Sequence, residues 1–241
     1  MPIELPDLKT AITKQEALDA LWRAWMAYFG APPARKESIW VICSQWALET
    51  KWGESMHNYN MGNVKSKDGD GYDFQYYGCG EEVLLAEARR WIAADPGLVK
   101  VVRSYTAKDG RLMASVWVDP KHWACRFRAF STLVEGAVDY VGLLVKRFNL
   151  SWEGVERGDP ALFSRLLHQQ GYYTADVAIY TKTMTGVYAM FAKMPFDYDT
   201  LPIFTESEKD RISSLVSLTV WNSVGEALDE DDLVPDDEPK V

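Results

Sequence analysis

The chain is poor in the residues that make covalent staples and metal centres. It has three cysteines, Cys43, Cys79 and Cys125, and three scattered histidines, His57, His122 and His168. No CxxC pair and no metal-ligand spacing occurs, so neither a zinc site nor any other metal or cofactor is expected. Three thiols cannot all pair with one another, and buried free cysteines are the simpler reading. Positive charge is not in excess either. The net charge is −9 and the pI about 4.9, which argues against a nucleic-acid partner, because such a protein needs a basic face to neutralise phosphates. No stretch approaches the ~20 apolar residues that cross a bilayer, so no membrane span is expected. The opening Met1-Pro-Ile-Glu-Leu-Pro-Asp7 lacks the basic segment and apolar run of a signal peptide, and the expectation is synthesis in the cytoplasm. No internal repeat is visible.

What is present is an ordinary soluble composition, 47% hydrophobic and 25% charged over 241 residues, enough for one large domain or two small ones with a sizeable core. Aromatic residues are generous, with ten Trp and twelve Tyr. Most belong to a core, but flat rings also stack on the apolar faces of sugars, so a carbohydrate groove fits the surplus.

Residues 1–13 read as an N-terminal arm with two prolines and no periodicity. Thr13-Lys-Gln-Glu16 is a capping box, and behind it Leu18, Leu21, Trp22 and Trp25 recur at helical spacing until Gly30-Ala-Pro-Pro33. A second helix is expected from about Ala34 to Lys51. From Gly53 to Gly71 the chain is polar and turn-rich. Its Lys67-Asp-Gly-Asp-Gly71 lacks the full spacing and terminal glutamate of a calcium loop, so a tight turn is preferred. Tyr72–Tyr77 alternates as a strand, Glu81–Ala94 reads as a helix, Leu98–Tyr105 is ambiguous, and Leu112–Val118 reads as a strand. Together they suggest a small β-hairpin with a helical insertion. Ser131 is the expected N-cap of a helix carrying Leu133, Ala137, Tyr140, Val141 and Leu144. Asp159-Pro160 opens a helix to about Gln170, another spans about Val177–Met194, and a last one Glu206–Leu228. Residues 229–241 are acidic and proline-containing, and are expected to be disordered.

The stretch that invites chemistry is Gln45-Trp-Ala-Leu-Glu-Thr-Lys-Trp-Gly-Glu-Ser55, continuing to Tyr59-Asn-Met-Gly-Asn-Val-Lys65. Ile39, Ile42, Cys43 and Trp46 share one side of the helix, and Glu49 lies on or beside that stripe where the helix gives way to the loop. A carboxyl group in apolar surroundings has its charged form disfavoured and its pKa raised, as a general acid near neutral pH requires. Spacing alone is equally compatible with a glutamate that caps or braces the loop.

Four segments in order are similar to those of the glucosaminidase family of bacterial and phage peptidoglycan hydrolases. Gln45–Ser55 looks like the family's Q-x-A-L-E-T-G-W-G-x-S, with Lys51 at the usual Gly and Glu49 at the catalytic acid. Tyr59-Asn-Met-Gly-Asn-Val-Lys65 resembles Y-N-L-F-G-I-K, matching at Asn60 and Lys65. Phe127-Arg-Ala-Phe130, with Ser131, resembles F-R-x-Y-x-S, and Gly171-Tyr-Tyr-Thr174 resembles G-Y-A-T, whose first tyrosine, here Tyr172, lies in the cleft.

The resemblance covers roughly residues 14–195. It implies a mainly α, α+β lysozyme-like fold with a small β-hairpin beside the cleft; the arm, the insertion around Glu81–Val102, and a connector and helix over 196–228 lie outside it. It implies an enzyme cutting the β-1,4 glycan strand of peptidoglycan, an endo-β-N-acetylglucosaminidase, with Glu49 as acid. Asn60, Tyr172 and Tyr173 are expected to position sugar or steady charge, and each is equally compatible with a structural role, Asn60 as a turn former and the tyrosines as half-buried core. Glycoside cleavage normally uses a second, ionised carboxylate. The family's T-x-E-Y glutamate is replaced here by Gln75. Asp73, on the same strand face one pleat away, is the preferred substitute, with Glu81 and Glu82 as further candidates. Without a partner, the N-acetyl group of the substrate could act as nucleophile, or Glu49 could serve as acid then base in a lytic transglycosylase. A muramidase, a non-catalytic wall-binding module, and a structural component of a phage or secretion machine are the other readings. In the last, the C-terminal helix and acidic tail engage a protein partner. Action on a cell wall further implies delivery by lysis, a phage particle or a secretion system.

Overall fold

The computed structural model describes residues 2–107, 110–173, 175–197 and 204–226; within the last segment, side chains are described for 204, 205 and 208–218. Helix α1 (Lys14–Phe29) starts at the expected capping box: Thr13 accepts from the Glu16 backbone N–H and Glu16 returns the bond to Thr13. It ends on Gly30 in the left-handed region. Helix α2 (Glu37–Glu49) begins three residues later than the spacing suggests and is buried from Ser38 to Ala47. It is therefore the central helix, and its last residue is Glu49.

The β region differs from the expectation in connectivity. Strand β1 (Phe74–Tyr76) pairs antiparallel with β5 (Arg126–Arg128), placing Gln75 opposite Phe127. Between them the chain makes a separate sheet from β2 (Cys79–Leu84), helix α3 (Leu85–Ala94), β3 (Val99–Thr106) and β4 (Leu112–Val118), in the order β2-β4-β3. Residues 81–84, expected as helix, are strand. Their alternation of half-buried Cys79, Glu81 and Val83 with exposed Gly80, Glu82 and Leu84 matches the pleat, and pairing with β4 along its length outweighs a helical spacing that holds only from Leu85 onward. The ambiguous Leu98–Tyr105 is strand β3. A small core of Ala88, Val99, Ala114, Val116 and Val118 lies between this sheet and α3.

Helix α4 (Leu133–Arg147) is capped by Thr132, not Ser131, because Glu135 lies three residues beyond Thr132 and completes a second capping box. After it come α5 (Trp152–Arg157), α6 (Pro160–Gln169), opened by Asp159 and Pro160 as expected, α7 (Val177–Phe191) and α8 (Glu206–Glu226). These helices share one core with α1 and α2, including Leu18, Leu21, Ile42, Trp46, Leu144, Phe163 and Phe191. Trp46 is fully buried, and truncating such a side chain typically costs about 3–5 kcal/mol. The chain is thus mainly α, α+β, as expected.

Two segments outside the resemblance, the N-terminal arm and the C-terminal helix, are joined to the body. The N-terminal arm is stitched on by backbone bonds from Leu5 N–H to Phe74 O, Phe74 N–H to Ile3 O, Thr10 N–H to Met56 O and Asn58 N–H to Leu8 O. Helix α8 packs on α1 and α4, with Ile212 in the core and ion pairs Arg23–Glu208 and Arg211–Glu135. The acidic tail, 229–241, lies outside the described residues.

Candidate active site

Helix α2 ends abruptly because its terminal carbonyls are claimed from within the loop. Thr50 Oγ1 donates to Trp46 O at 2.8 Å and accepts from Gly53 N–H at 2.9 Å, and Trp52 N–H reaches Ala47 O at 2.8 Å. The turn needs left-handed backbone at Lys51, Trp52 and Gly53, with φ of 50, 63 and 86°. Only the third of these is a glycine. Glu49 is thereby left half-buried at the last position of α2.

The Glu49 carboxyl meets a hydroxyl from a distant part of the chain. Tyr180 Oη donates to Glu49 Oε1 at 3.2 Å. Tyr180 sits in the first turn of α7, whose start is fixed by Asp176 accepting from Ala178 and Ile179 N–H. Its ring stacks on Tyr173 with centroids 3.9 Å apart and planes 17° off parallel. Tyr173 is locked in turn, its hydroxyl bonded to Ser164 Oγ and Ser164 O, both at 3.0 Å. Tyr172 lies beside the same carboxyl group and packs edge-on against Phe148 at 4.7 Å. Burial pushes the Glu49 pKa up, opposed by the Tyr180 hydrogen bond and by the nearby Gln45 amide. Burial, with the Glu49 charge nearby, also pushes Tyr172 and Tyr180 up, so both phenols stay protonated.

Beneath the carboxyl group lies a polar side chain with little to satisfy it. Gln45, one helical turn before Glu49, is fully buried, and neither end of its amide has a partner in hydrogen-bonding geometry. It is near enough to Glu49, Tyr172 and Tyr180 to oppose the upward pull of burial on all three groups. The Tyr140 hydroxyl is likewise buried and unpartnered, and Glu49 and Tyr172 are among its neighbours.

The loop opposite is held from the β side. Asn63 Nδ2 donates to Glu49 O at 3.2 Å, and Asn63 Oδ1 accepts from Tyr77 Oη at 3.3 Å. Tyr77 is sandwiched between His57 and Phe127, 4.3 and 4.1 Å away. Asn60, expected to touch sugar, is buried and spent on the loop itself: Nδ2 donates to Val64 O and Arg128 O, and Oδ1 accepts from Val64 N–H. Its role here is to shape the turn.

The carboxylates proposed as partners are engaged elsewhere. Asp73 Oδ1 accepts from Ile3 N–H at 3.0 Å and so holds the N-terminal arm. Gln75 is buried and donates to His57 O and Arg128 O while accepting from Asn58 Nδ2. Glu81 pairs with Lys65 at 2.6 Å. Glu82 bonds Tyr105 and Ser115 on the outer face of the three-stranded sheet. Asp68 pairs with Arg126, and Asp70 bonds the Lys67 and Tyr72 N–H groups. Among the described residues, no second carboxylate shares a hydrogen bond or ion pair with Glu49. Tyr180 and Gln45 are the neighbours of Glu49 that the sequence does not single out: Tyr180 falls on the apolar stripe of its helix, and Gln45 is one position in a motif.

No family model matches this chain, and no characterised protein matches it by sequence. Among solved structures, the catalytic domain of the autolysin Auto from Listeria monocytogenes is similar at 15% identity, over 77% of this chain and 88% of that one, with a TM-score of 0.36. A likeness of that size leaves the reading of the site to the residues themselves.

Two grooves of the described surface lie elsewhere. One, against α8, is lined by Met26, Ala27, Phe204 and Ile212, with Lys209 as its one titratable side chain. It offers no acid for glycoside chemistry.

Proposed function

We propose that this protein is a lysozyme-like glycoside hydrolase of bacterial cell-wall peptidoglycan, of the endo-β-N-acetylglucosaminidase type, with Glu49 as general acid. The observation that carries the reading is the state of Glu49: a half-buried carboxyl group with a raised pKa, held by Tyr180 at a rim of tyrosines. Such a group keeps its proton toward neutral pH and can deliver it to a glycosidic oxygen. Tyr172 and Tyr173 beside it are partly exposed and supply flat surfaces for sugar rings. The ordered motif segments of the sequence point to the same substrate.

The engagement of Asp73, Glu81 and Glu82 elsewhere favours a route that needs no second protein carboxylate. In that route Glu49 protonates the leaving oxygen while the substrate's 2-acetamido oxygen bonds to the anomeric carbon and the glycosidic bond breaks. Glu49, now ionised, then takes a proton from water as the water oxygen displaces the acetamido oxygen. If an intramolecular hydroxyl takes the place of water, the same acid–base residue gives an anhydro product.

The test is digestion of purified peptidoglycan by wild type and by Glu49→Gln, with mass analysis of the released fragments. Reducing N-acetylglucosamine ends from wild type alone are expected. Muramic-acid ends would reassign the bond, anhydro ends the second step, and equal release from both proteins would remove Glu49 from the chemistry.

A further inference from the structure

Cys79 and Cys125 stand at the neck of the three-stranded insertion. Cys79 opens β2, and Cys125 is the last residue before β5. Between them run β2, α3, β3 and β4, so the two cysteines mark where the chain leaves the helical body and returns to it. Their Sγ atoms are 3.5 Å apart. Both are free thiols, Cys79 half-buried and Cys125 fully buried. Backbone pairing holds the neck on either side: Tyr77 N–H donates to Cys125 O at 3.3 Å, and Cys79 pairs with Val118. Lys65 Nζ lies 3.6 Å from Cys79 Sγ.

We propose that Cys79 and Cys125 form a disulfide under oxidising conditions, closing the insertion at its neck. The sulfurs need approach by only about 1.5 Å to reach the ~2.05 Å bond length, a displacement available to side-chain rotation. The oxidant is a disulfide-bearing thiol compound or a dithiol oxidase of the cell envelope. The half-buried Cys79 sulfur meets it first, forming a mixed disulfide and releasing one thiol. The Cys125 thiolate then attacks the Cys79 sulfur, the protein disulfide forms, and the second thiol leaves. Two protein thiols are oxidised and one external disulfide is reduced to two thiols. The Lys65 ammonium, beside the pair in both steps, favours the thiolate needed for the second. Cys43 is fully buried in the helical core and takes no part. The consequence reaches the candidate site, because Tyr77, two residues before Cys79, braces Asn63 under Glu49.

The experiment equilibrates the full-length protein with oxidised and with reduced glutathione, counts thiols after denaturation, and maps peptides without reduction. Oxidised protein is expected to retain one thiol, Cys43, and to yield a Cys79–Cys125 linked peptide. Its melting temperature should exceed that of the reduced protein by about 5–10 °C, from closure of a long loop. In Cys79→Ser the redox dependence of melting should vanish. Three thiols after oxidation, a glutathione adduct that stays on Cys79, or pairing through Cys43 would each overturn the proposal. The wild-type comparison needs no variant, so a folding defect in Cys79→Ser leaves it decisive.

Discussion

Tyr180 and Glu49, separated by 131 positions in the sequence, meet through a hydroxyl-to-carboxyl hydrogen bond of 3.2 Å. The bond joins the C-terminal end of the central helix to the first turn of α7, and it pulls the Glu49 pKa down against a larger upward push from burial. Tyr180→Phe removes the donor and leaves the stack on Tyr173. The carboxyl pKa should rise further, moving the alkaline limb of the pH–rate profile upward by up to about one pH unit, the equivalent of a ~1 kcal/mol hydrogen bond. A profile that stays in place while the rate falls would assign Tyr180 to substrate contact instead.

Glu49→Gln should lower glycan cleavage by roughly 10²–10⁴-fold, the usual worth of a general acid. It should also stabilise the fold at neutral pH. A carboxyl whose folded pKa lies above its unfolded value binds its proton more tightly when folded. Wild-type stability therefore falls as pH rises from the unfolded value through the raised folded one. The glutamine variant escapes this loss, by about 1.4 kcal/mol for each pH unit of upward shift. Denaturant melts at pH 7 and pH 3.5 should show the advantage at the first and not at the second.

Lys51 occupies a left-handed position, φ 50°, with its side chain exposed. Lys51→Gly removes a Cβ that clashes with the backbone in this region. Against this gain stands the extra freedom of glycine in the unfolded chain. A net gain of about 0.5–1 kcal/mol is expected, read as a rise of roughly 1–4 °C in melting temperature, with cleavage unchanged.

The features legible in the sequence are those set by neighbours along the chain. The box at Thr13 and Glu16, the Asp159-Pro160 start and the exit of α2 at Glu49 are short-range hydrogen-bonding facts, and the residues announce them. Long-range choices were hidden. Residues 81–84 became strand because β4 was available to pair with them, and β1 found its partner 50 residues on, beyond an inserted sheet. Asp73 turns one carboxylate oxygen to the Ile3 N–H, a backbone contact that no local pattern encodes. Tyr180 reads as one more apolar-face tyrosine until α7 is packed against α2.

Gln75 stands where the resembling family places a glutamate, and Gln75→Glu asks whether restoring that residue restores a second acid. The structure predicts a penalty. Gln75 Nε2 donates to His57 O and Arg128 O at 3.0 and 3.1 Å, while its Oε1 already accepts from Asn58. A carboxylate there would turn two acceptors toward two carbonyls in a buried site, or take up a proton and still lose one donor. The variant should lose about 2–4 kcal/mol of stability by urea titration, more so as pH rises above the ~4.3 of an unfolded glutamate, where the unfolded chain ionises and the buried acid is held protonated, with no gain in cleavage. A rise in glycan release would show that β1 re-registers to present the new acid.

Gly136 tests how closely the Glu49 loop depends on α4. A Cβ built there would lie 1.8 Å from Tyr59 O, so the helix touches the loop backbone with nothing between them. That contact holds the 57–65 turn, and with it Asn63, whose amide reaches Glu49 O. Gly136→Ala gains helix propensity of about 1 kcal/mol, but the overlap forces helix and loop apart by more than an ångström. Such overpacking usually costs about 1–3 kcal/mol, and backbone against backbone can yield less than side chains do. The expected outcome is a net loss of stability, with a larger loss of cleavage than of folded protein at 25 °C. Circular dichroism and activity measured on the same sample separate the two. Full activity in a folded Gly136→Ala protein would mean that the loop can shift without disturbing the acid.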